Sequence, residues 1–488
     1  MASNPAPAPG PVFVPRTIAE VFDRVLAMDP EREVLVTRSG RWSYAGLDRL
    51  ADRAGHALRA LGVRAGDRVA GSLPNDLDVV VAFHGAMRIG AVWVGINRAL
   101  APPEKEYLLA DSGSSLLLAE ENLDEWHDAM EAAADDPIED DVDPDAPAGI
   151  AYTSGTTGFP KGAVHSQRNL LVPGAVLVAS RGYGPDLRKG DFLPLTILNM
   201  QVLTTLLVAQ AGGCSVIMDG AHASAIASTI RDERVTVWNG PPALVHSMAA
   251  DESIAPGDLA SLEEVWTGGG DCPETVRAAF AAKFGRPALT TYGLSEAPTV
   301  VSLDDRDGSH AEGASGKPLP HLDVTIVDGE ICVGPTAAGP WAGVYHPMLG
   351  YWEQPDATAD VLRDGVLHTG DLGFVDDDGF VHIRDRASLL IIRGGANVYP
   401  AEVERVLHEL VDVEACAVVG VPDERLGERV VAAVQVRPGA TLTSDDLTAH
   451  CLANLARFKV PERWLFVDGF ERNSMGKIQR RALPALFA

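Results

Sequence analysis

Short apolar runs alternate with longer segments whose apolar positions recur every three or four residues, and this rhythm predicts βαβ units. Arg68–Leu73 reads as a strand, Asp76–Gly90 as a helix and Ala91–Ile96 as the next strand. The cadence returns downstream, with strands at Ser215–Met218, Val235–Asn239 and Ala288–Tyr292 and helices at Ala221–Arg234 and Pro273–Phe284. Such alternation predicts an α/β fold with a large, layered, multi-subdomain N-terminal body. After the strand-like Phe380–Ile383 the pattern changes near Asp385–Ser388, where a charged stretch precedes Leu389–Ile392 and the pair Gly394-Gly395. Beyond it, a helix over Ala401–Leu410 puts Val403, Val406, Leu407 and Leu410 on one face, and Glu414–Val421 and Arg429–Val436 read as paired strands. The chain therefore divides into a large domain at 1–384, a hinge at 385–388 and a small α+β domain at 389–488, long enough to fold as a unit. Between Glu131 and Pro147, Asp, Glu, Pro and Ala crowd together, which predicts a solvated connector with little apolar surface to bury.

At 488 residues and 46% hydrophobic, the chain can bury sizeable cores, and no apolar run has the roughly 18–20 residues of a membrane helix. Asp and Glu (68) outnumber Lys and Arg (40), and the net charge of −28 sets aside nucleic acids and anionic membranes as partners. The five cysteines are scattered, without a CxxC pair or a neighbouring His at ligand spacing, and read as reduced, mostly buried thiols of a cytoplasmic protein. Met1 to Pro15 is rich in Ala and Pro, lacks a basic start and an apolar core, and reads as a loose arm.

The most informative stretch is Tyr152-Thr153-Ser154-Gly155-Thr156-Thr157-Gly158-Phe159-Pro160-Lys161-Gly162. Its glycines allow sharp turns, its hydroxyls and amides can face phosphate oxygens, and Lys161 adds a mobile positive charge. It is not a Walker loop, because Pro160 precedes the lysine and Gly162 follows it. Tyr292-Gly293-Leu294-Ser295-Glu296 closes a predicted strand, where ligands of open parallel sheets bind. Thr267-Gly268-Gly269-Gly270-Asp271 makes a glycine-rich turn, which by itself reads as structural rather than functional. In His368-Thr369-Gly370-Asp371 the ionised carboxylate offers acceptors alone. No GxSxG elbow or HExxH helix is present.

These motifs, with Arg386 and the C-terminal run from Arg472 to Arg481 around Gly476-Lys477, occur in the order found in the adenylate-forming superfamily. The chain resembles its acyl- and aryl-CoA synthetases from about Pro15 to Leu486. The resemblance implies ATP and Mg²⁺ as cofactors and CoA as co-substrate, with the acid activated as an acyl-adenylate and then passed to a thiol. It places Ser154, Gly155, Thr156, Thr157, Gly158 and Lys161 on the phosphates, Gly269, Gly270, Tyr292, Gly293 and Ser295 around the nucleotide, and Asp371 and Arg386 on the ribose. Thr153, Glu296 and Lys477 fall at the reacting centre, with Glu296 also the Mg²⁺ ligand and Lys477 bridging carboxylate and α-phosphate. The small domain would rotate between half-reactions, bringing Gly394 and Gly395 to line a thiol tunnel and pivoting at Ser388, where the family usually has Asp or Lys.

A carboxylate is a weak nucleophile toward an anionic phosphate, so this chemistry rests on in-line positioning and charge neutralisation rather than on a protein nucleophile. The segment Phe192–Thr205 holds no acid to pair an α-ammonium, which turns the reading away from amino acids, and Ile197 stands where many relatives have a gating His. Residues expected at the acid pocket are Ile197, Asn199, Met200, Trp238, Asn239, Gly240 and Leu294, with ordinary core packing the alternative for each. In Phe458-Lys459-Val460-Pro461-Glu462-Arg463 an acid replaces a base that relatives commonly offer to CoA phosphates, leaving Lys459 and Arg463. The expectation is thus an organic acid–CoA ligase. Adenylation for a carrier-protein thiol, and activation of nitrite in the manner of diazotising relatives, stay open, as does a homodimer.

Overall fold

A computed structural model describes residues 14–154, 159–218, 220, 222–269, 272–386, 390–437, 439–471, 478 and 480–487. Four sheets organise them. The nine-stranded sheet has six parallel strands in the order Ala288–Leu294, Glu264–Gly268, Val237–Gly240, Arg188–Asp191, Cys214–Ile217 and Glu33–Thr37, with antiparallel strands at its edges. The six-stranded sheet runs parallel through Leu116–Ala119, Arg68–Ser72, Val92–Gly95 and Pro147–Ser154, then antiparallel through Pro160–Ser166 and Gly350–Tyr351. Parallel strands covered on both faces read as unbroken apolar runs, which is why Val69, Ala70, Val92 and Val94 are all buried. An antiparallel sheet over Leu322–Arg386 follows, and it sets Asp371 in register with Arg386.

The last sheet joins Ala396–Val398, Ile391–Arg393, Gly427–Val436, Val413–Asp423 and Arg463–Phe466. The helix Pro400–Leu407 buries Val403, Val406 and Leu407 against it, ending three residues before the predicted boundary. Its two cores draw solely on residues from Ile391 onward, so this portion carries its own apolar interior.

The segment between Glu131 and Pro147 is exposed, as expected of a solvated connector, and is tied down at several points. Its acids reach back to arginines of the large domain: Asp135 to Arg53 at 3.2 Å, Asp141 to Arg16 at 2.8 Å, Asp145 to Arg168 at 2.6 Å, and Asp140 to Arg59. Ile138 supplies the apolar anchor, its amide donating to Asp52 Oδ1 at 3.1 Å. These acids stay solvated, as composition predicts; what composition does not show is that the partners Arg53 and Arg59 lie some 80 residues away. No helix among the described residues is long and apolar enough to cross a membrane.

Three buried histidines set an acid limit on this fold. Burial pushes His84 and His321 down to about 3 and His165 to about 4, so each is neutral in the native state. An unfolded histidine titrates near 6.5, so their contribution is complete above that pH and is lost as pH falls from about 6.5 toward 4, by up to about 1.4 kcal/mol per pH unit for each. Neither ring nitrogen of His84 has a partner among the described residues, and the ring lies 5.0 Å from that of Phe22. The thermal midpoint is expected to drop between pH 6.5 and 4.5, and His84→Phe to flatten that slope by one proton. An unchanged slope in the variant would show that His84 is not buried neutral.

Candidate active site

The strand Ala288–Leu294 delivers one wall of the site. A bulge between Tyr292 and Gly293 re-aims its end, and Gly293 is required there because a Cβ would sit 1.9 Å from the Thr299 carbonyl oxygen. Thr299 itself is held at φ 74°, a conformation that costs a β-branched residue energy. His165, fully buried, donates from Nε2 to the Ser295 carbonyl at 2.7 Å and pins the following turn.

Around that turn lies a cavity of about 760 Å³. One end is polar: Thr153 Oγ1 donates to Glu296 Oε1 at 3.3 Å, and the Tyr351 hydroxyl donates to the same oxygen at 2.8 Å. Lys161 Nζ lies 5.1 Å from the centre of the Tyr351 ring. The pairing of Gly350–Tyr351 with Ala163–Val164 brings that tyrosine in, and burial beside Glu296 raises its hydroxyl well above the ordinary value. Opposite, Asp371 Oδ2 accepts from the Tyr292 hydroxyl at 2.7 Å. The turn before Asp371 is clamped by Glu330, whose Oε1 accepts from the Gly370 amide at 2.8 Å while Oε2 meets His368 Nδ1 at 2.9 Å. Cys332 Sγ stands 3.4 Å from the same nitrogen.

Apolar side chains line the same cavity, those of Phe192, Leu193, Ile197, Leu198 and Leu294, with Asn199 among the lining residues. Directly beyond Ile197–Asn199 the chain makes a π-helical turn over Gln201–Leu206, a feature common where helices border functional sites. Gly394 and Gly395 close a third side at φ 61° and 86°. A Cβ on Gly395 would lie 2.4 Å from Pro241 Cβ, so only glycine fits at this approach.

The structure thus brings Thr153, Lys161, Ile197, Asn199, Gly293, Leu294, Ser295, Glu296, Asp371, Gly394 and Gly395 to one cavity. Other expected pocket residues lie behind it. Trp238 is fully buried, Met200 belongs to a core cluster, and Asn239 accepts from Lys189 in a buried network. Gly240 makes room for the Trp238 ring, 2.4 Å from where its Cβ would stand. These four shape the wall rather than face the cavity, because the apolar run is spent on sheet packing. Tyr292 is 4% exposed and shows the site little more than its hydroxyl. Gly269 lies near the Gly395 carbonyl, 3.9 Å from a Cβ built there. Arg386 is placed by backbone register opposite Asp371. Gly155, Thr156, Thr157, Gly158, Gly270, Ser388 and Lys477 lie outside the described residues, and Ser154 closes the strand Pro147–Ser154. Tyr351, Glu330 and His165 escaped the sequence reading, since their partners are between 38 and 130 residues distant or, for Lys161, 190.

Lys459 and Arg463, expected as bases for a CoA phosphate, are otherwise engaged. Lys459 is enclosed between Glu104 and Glu402, and Arg463 donates to the Phe487 carbonyl. Glu462 in turn neutralises Arg393 and reaches Arg429 at 3.4 Å.

An acid, a hydroxyl and a lysine, a second carboxylate at Asp371 and a set of apolar side chains thus share one cavity on an α/β scaffold. Residues 22–352 match the model of the AMP-binding enzyme family, and residues 402–477 that of the AMP-binding enzyme C-terminal domain. The chain belongs to this family and is an adenylate-forming acid–thiol ligase, a class that uses ATP and CoA. It is 36% identical over 464 residues to a feruloyl-CoA synthase of Amycolatopsis sp, covering 89% of this chain and 92% of that one. A fatty acid–[acyl-carrier-protein] ligase, ScoC of Streptomyces coeruleorubidus, is 34% identical over 490 residues, 94% of each chain. Among solved structures, the amide bond synthetase McbA of Marinactinospora thermotolerans superposes with a TM-score of 0.85 at 30% identity, over 96% of this chain and 99% of that one.

Proposed function

We propose that the protein activates a compact aryl-bearing carboxylic acid, of about phenylpropenoic size, and transfers it to CoA. One observation carries this reading: a single cavity is lined by Thr153, Glu296 and Lys161 and by apolar side chains, among them Phe192, backed by the Trp238 ring at 6.4 Å and 25°. Aromatic walls of this kind favour a flat substrate. The likeness to a feruloyl-CoA synthase agrees with it.

The cavity's chemistry supports the assigned roles. Glu296 and Thr153 offer oxygen donors 3.3 Å apart, a set that fits a hard cation such as Mg²⁺ held by one carboxylate and the nucleotide's phosphates. Such an ion would neutralise phosphate charge; the chain's own residues do the positioning. Lys161 presents its ammonium to the same end, Asp371 offers acceptors to a ribose diol, and Lys477 fits the role of bridging the acid and the α-phosphate. Ser388 serves as the pivot between 1–384 and 389–488. Buried thiols at Cys214 and Cys451, raised to about 12 by their burial, suit a reducing, cytoplasmic setting.

The engagement of Lys459, Glu462 and Arg463 favours a second reading of the acceptor, a carrier-protein thiol, as in the name of the ScoC ligase. The test is pyrophosphate release with ATP and Mg²⁺ across ferulic, cinnamic, benzoic, indoleacetic and hexadecanoic acids and nitrite, each with and without CoA. Release with an aryl acid and a thioester mass appearing with CoA supports the proposal. Release with hexadecanoate or nitrite instead, or release with no CoA thioester, overturns it. In the same assay Asp371→Asn is expected to weaken ATP binding about tenfold, since a charge-assisted hydrogen bond becomes a neutral one. Calorimetry with unchanged affinity would remove Asp371 from the ribose.

A further inference from the structure

Glu104 sits on the helix Pro102–Ser112 of the large domain, yet two of its three side-chain hydrogen bonds among the described residues cross to the C-terminal portion. Its Oε2 accepts from the Ala101 amide at 2.7 Å, closing its own helix, and from the Ala456 amide at 2.6 Å. Its Oε1 accepts from Lys459 Nζ at 2.5 Å, and the same ammonium donates to Glu402 Oε1 at 2.7 Å. All three side chains are buried, at 9%, 6% and 3% exposure for Glu104, Lys459 and Glu402. Glu402 Oε2 has no partner among the described residues. A buried ammonium is tolerated only while its carboxylates surround it. Glu402 and Lys459 travel together in the C-terminal portion, so their pair survives any rearrangement of it. The bonds of Glu104 span the two portions, so any movement of one against the other would break them.

That arrangement has a defined consequence at the cavity. Phe458 and Lys459 line it together with Gly394 and Gly395, and Gly395 is seated against Pro241 of the large domain. Thr153, Lys161, Glu296 and Asp371 all belong to the large domain, and none of the hydrogen bonds of Glu104 among the described residues goes to them. We propose that Glu104 is a positioning residue for thiol transfer: a latch that, through Ala456 and Lys459, holds the C-terminal portion where Gly394 and Gly395 line the acceptor's path. The inference rests on the ligase reading above and adds a residue that acts on one half-reaction alone.

The test uses the full-length chain carrying Glu104→Gln, whose amide oxygen still caps the helix through Ala101. With feruloyl-AMP supplied as probe, its CoA thioester is expected to form at least about tenfold more slowly, as charged hydrogen bonds typically govern ten- to hundredfold changes in an equilibrium. The pyrophosphate burst from ATP and ferulic acid without CoA should stay within about twofold. Equal losses in both steps, or none in either, overturn the latch. Amide hydrogen exchange without any substrate gives a separate answer. Residues 393–397 and 455–460 should exchange about tenfold faster in Glu104→Gln, while Val413–Asp423 and Gly427–Val436 keep their protection. Unchanged exchange at both segments overturns the latch, whereas wild-type protein that makes no pyrophosphate from any acid overturns the ligase reading and leaves the exchange result standing.

Discussion

Glu296→Ala is expected to slow acyl-adenylate formation by on the order of 10²–10³, the usual cost of losing one preorganised electrostatic partner of a transition state. The carboxylate is the acceptor for both Thr153 and Tyr351, at 3.3 and 2.8 Å, so its loss unties two neighbours and, on the reading proposed above, removes a cation ligand as well. These effects separate. If Glu296 holds Mg²⁺, the deficit shrinks as Mg²⁺ is raised, and Glu296→Gln, which keeps an acceptor for both hydroxyls, is nearly as impaired as the alanine. If Glu296 only orders its neighbours, Gln restores most of the rate and Mg²⁺ changes nothing. Rapid-quench measurement of the first pyrophosphate turnover over a Mg²⁺ series decides between them. Tyr351→Phe, which removes one hydrogen bond, should cost no more than about tenfold.

What could be read from the chain follows from the range of the interactions concerned. The strands Arg68–Ser72, Val92–Gly95 and Ala288–Leu294 were legible because their burial writes a local apolar run. The helix Leu77–Arg88 announces itself through Asp76, whose side chain accepts from the Leu77 amide at its start. Glycines at 394 and 395 were legible as a loop, but the reason for the second is Pro241, more than 150 residues upstream. Trp238, within a strand, and Met200, at the end of a short helix, pack in the core, the alternative their sequence leaves open, because an aromatic or a methionine looks the same whether it faces ligand or core. The π-helical turn at Gln201–Leu206 has no signature in a 3.6-residue periodicity. Lys459 shows the limit most clearly: as sequence it is a base beside an acid, and its two carboxylates come from positions 104 and 402. Chemistry carried by contiguous motifs is visible in one dimension, and the charges that position those motifs are not.

The second large effect concerns stability. Asp304→Ala is expected to destabilise the large domain by about 3–5 kcal/mol, the range for breaking a buried ion pair from one side. Asp304 is fully buried, and its Oδ2 accepts from the Thr290 amide at 2.7 Å, the Thr290 hydroxyl at 2.9 Å and Arg277 Nη1 at 3.1 Å. His310 Nδ1 faces Oδ1 at 3.1 Å. Alanine would leave the Arg277 guanidinium, itself 5% exposed, without its buried carboxylate, with the half-exposed Glu274 at 3.3 Å and the Ala288 carbonyl as its remaining partners, and would free Thr290, which lies on the strand that carries Tyr292 and ends beside Glu296. The cost therefore comes chiefly from the arginine left behind, and removing it as well should recover much of the loss. In urea titrations, Asp304→Ala/Arg277→Met is expected to be more stable than Asp304→Ala alone. A single variant costing under about 1 kcal/mol would mean that water reaches the pair and screens it. A double variant no better than the single would place the energy in Thr290 instead, and with it the anchoring of the strand end from which the site is built.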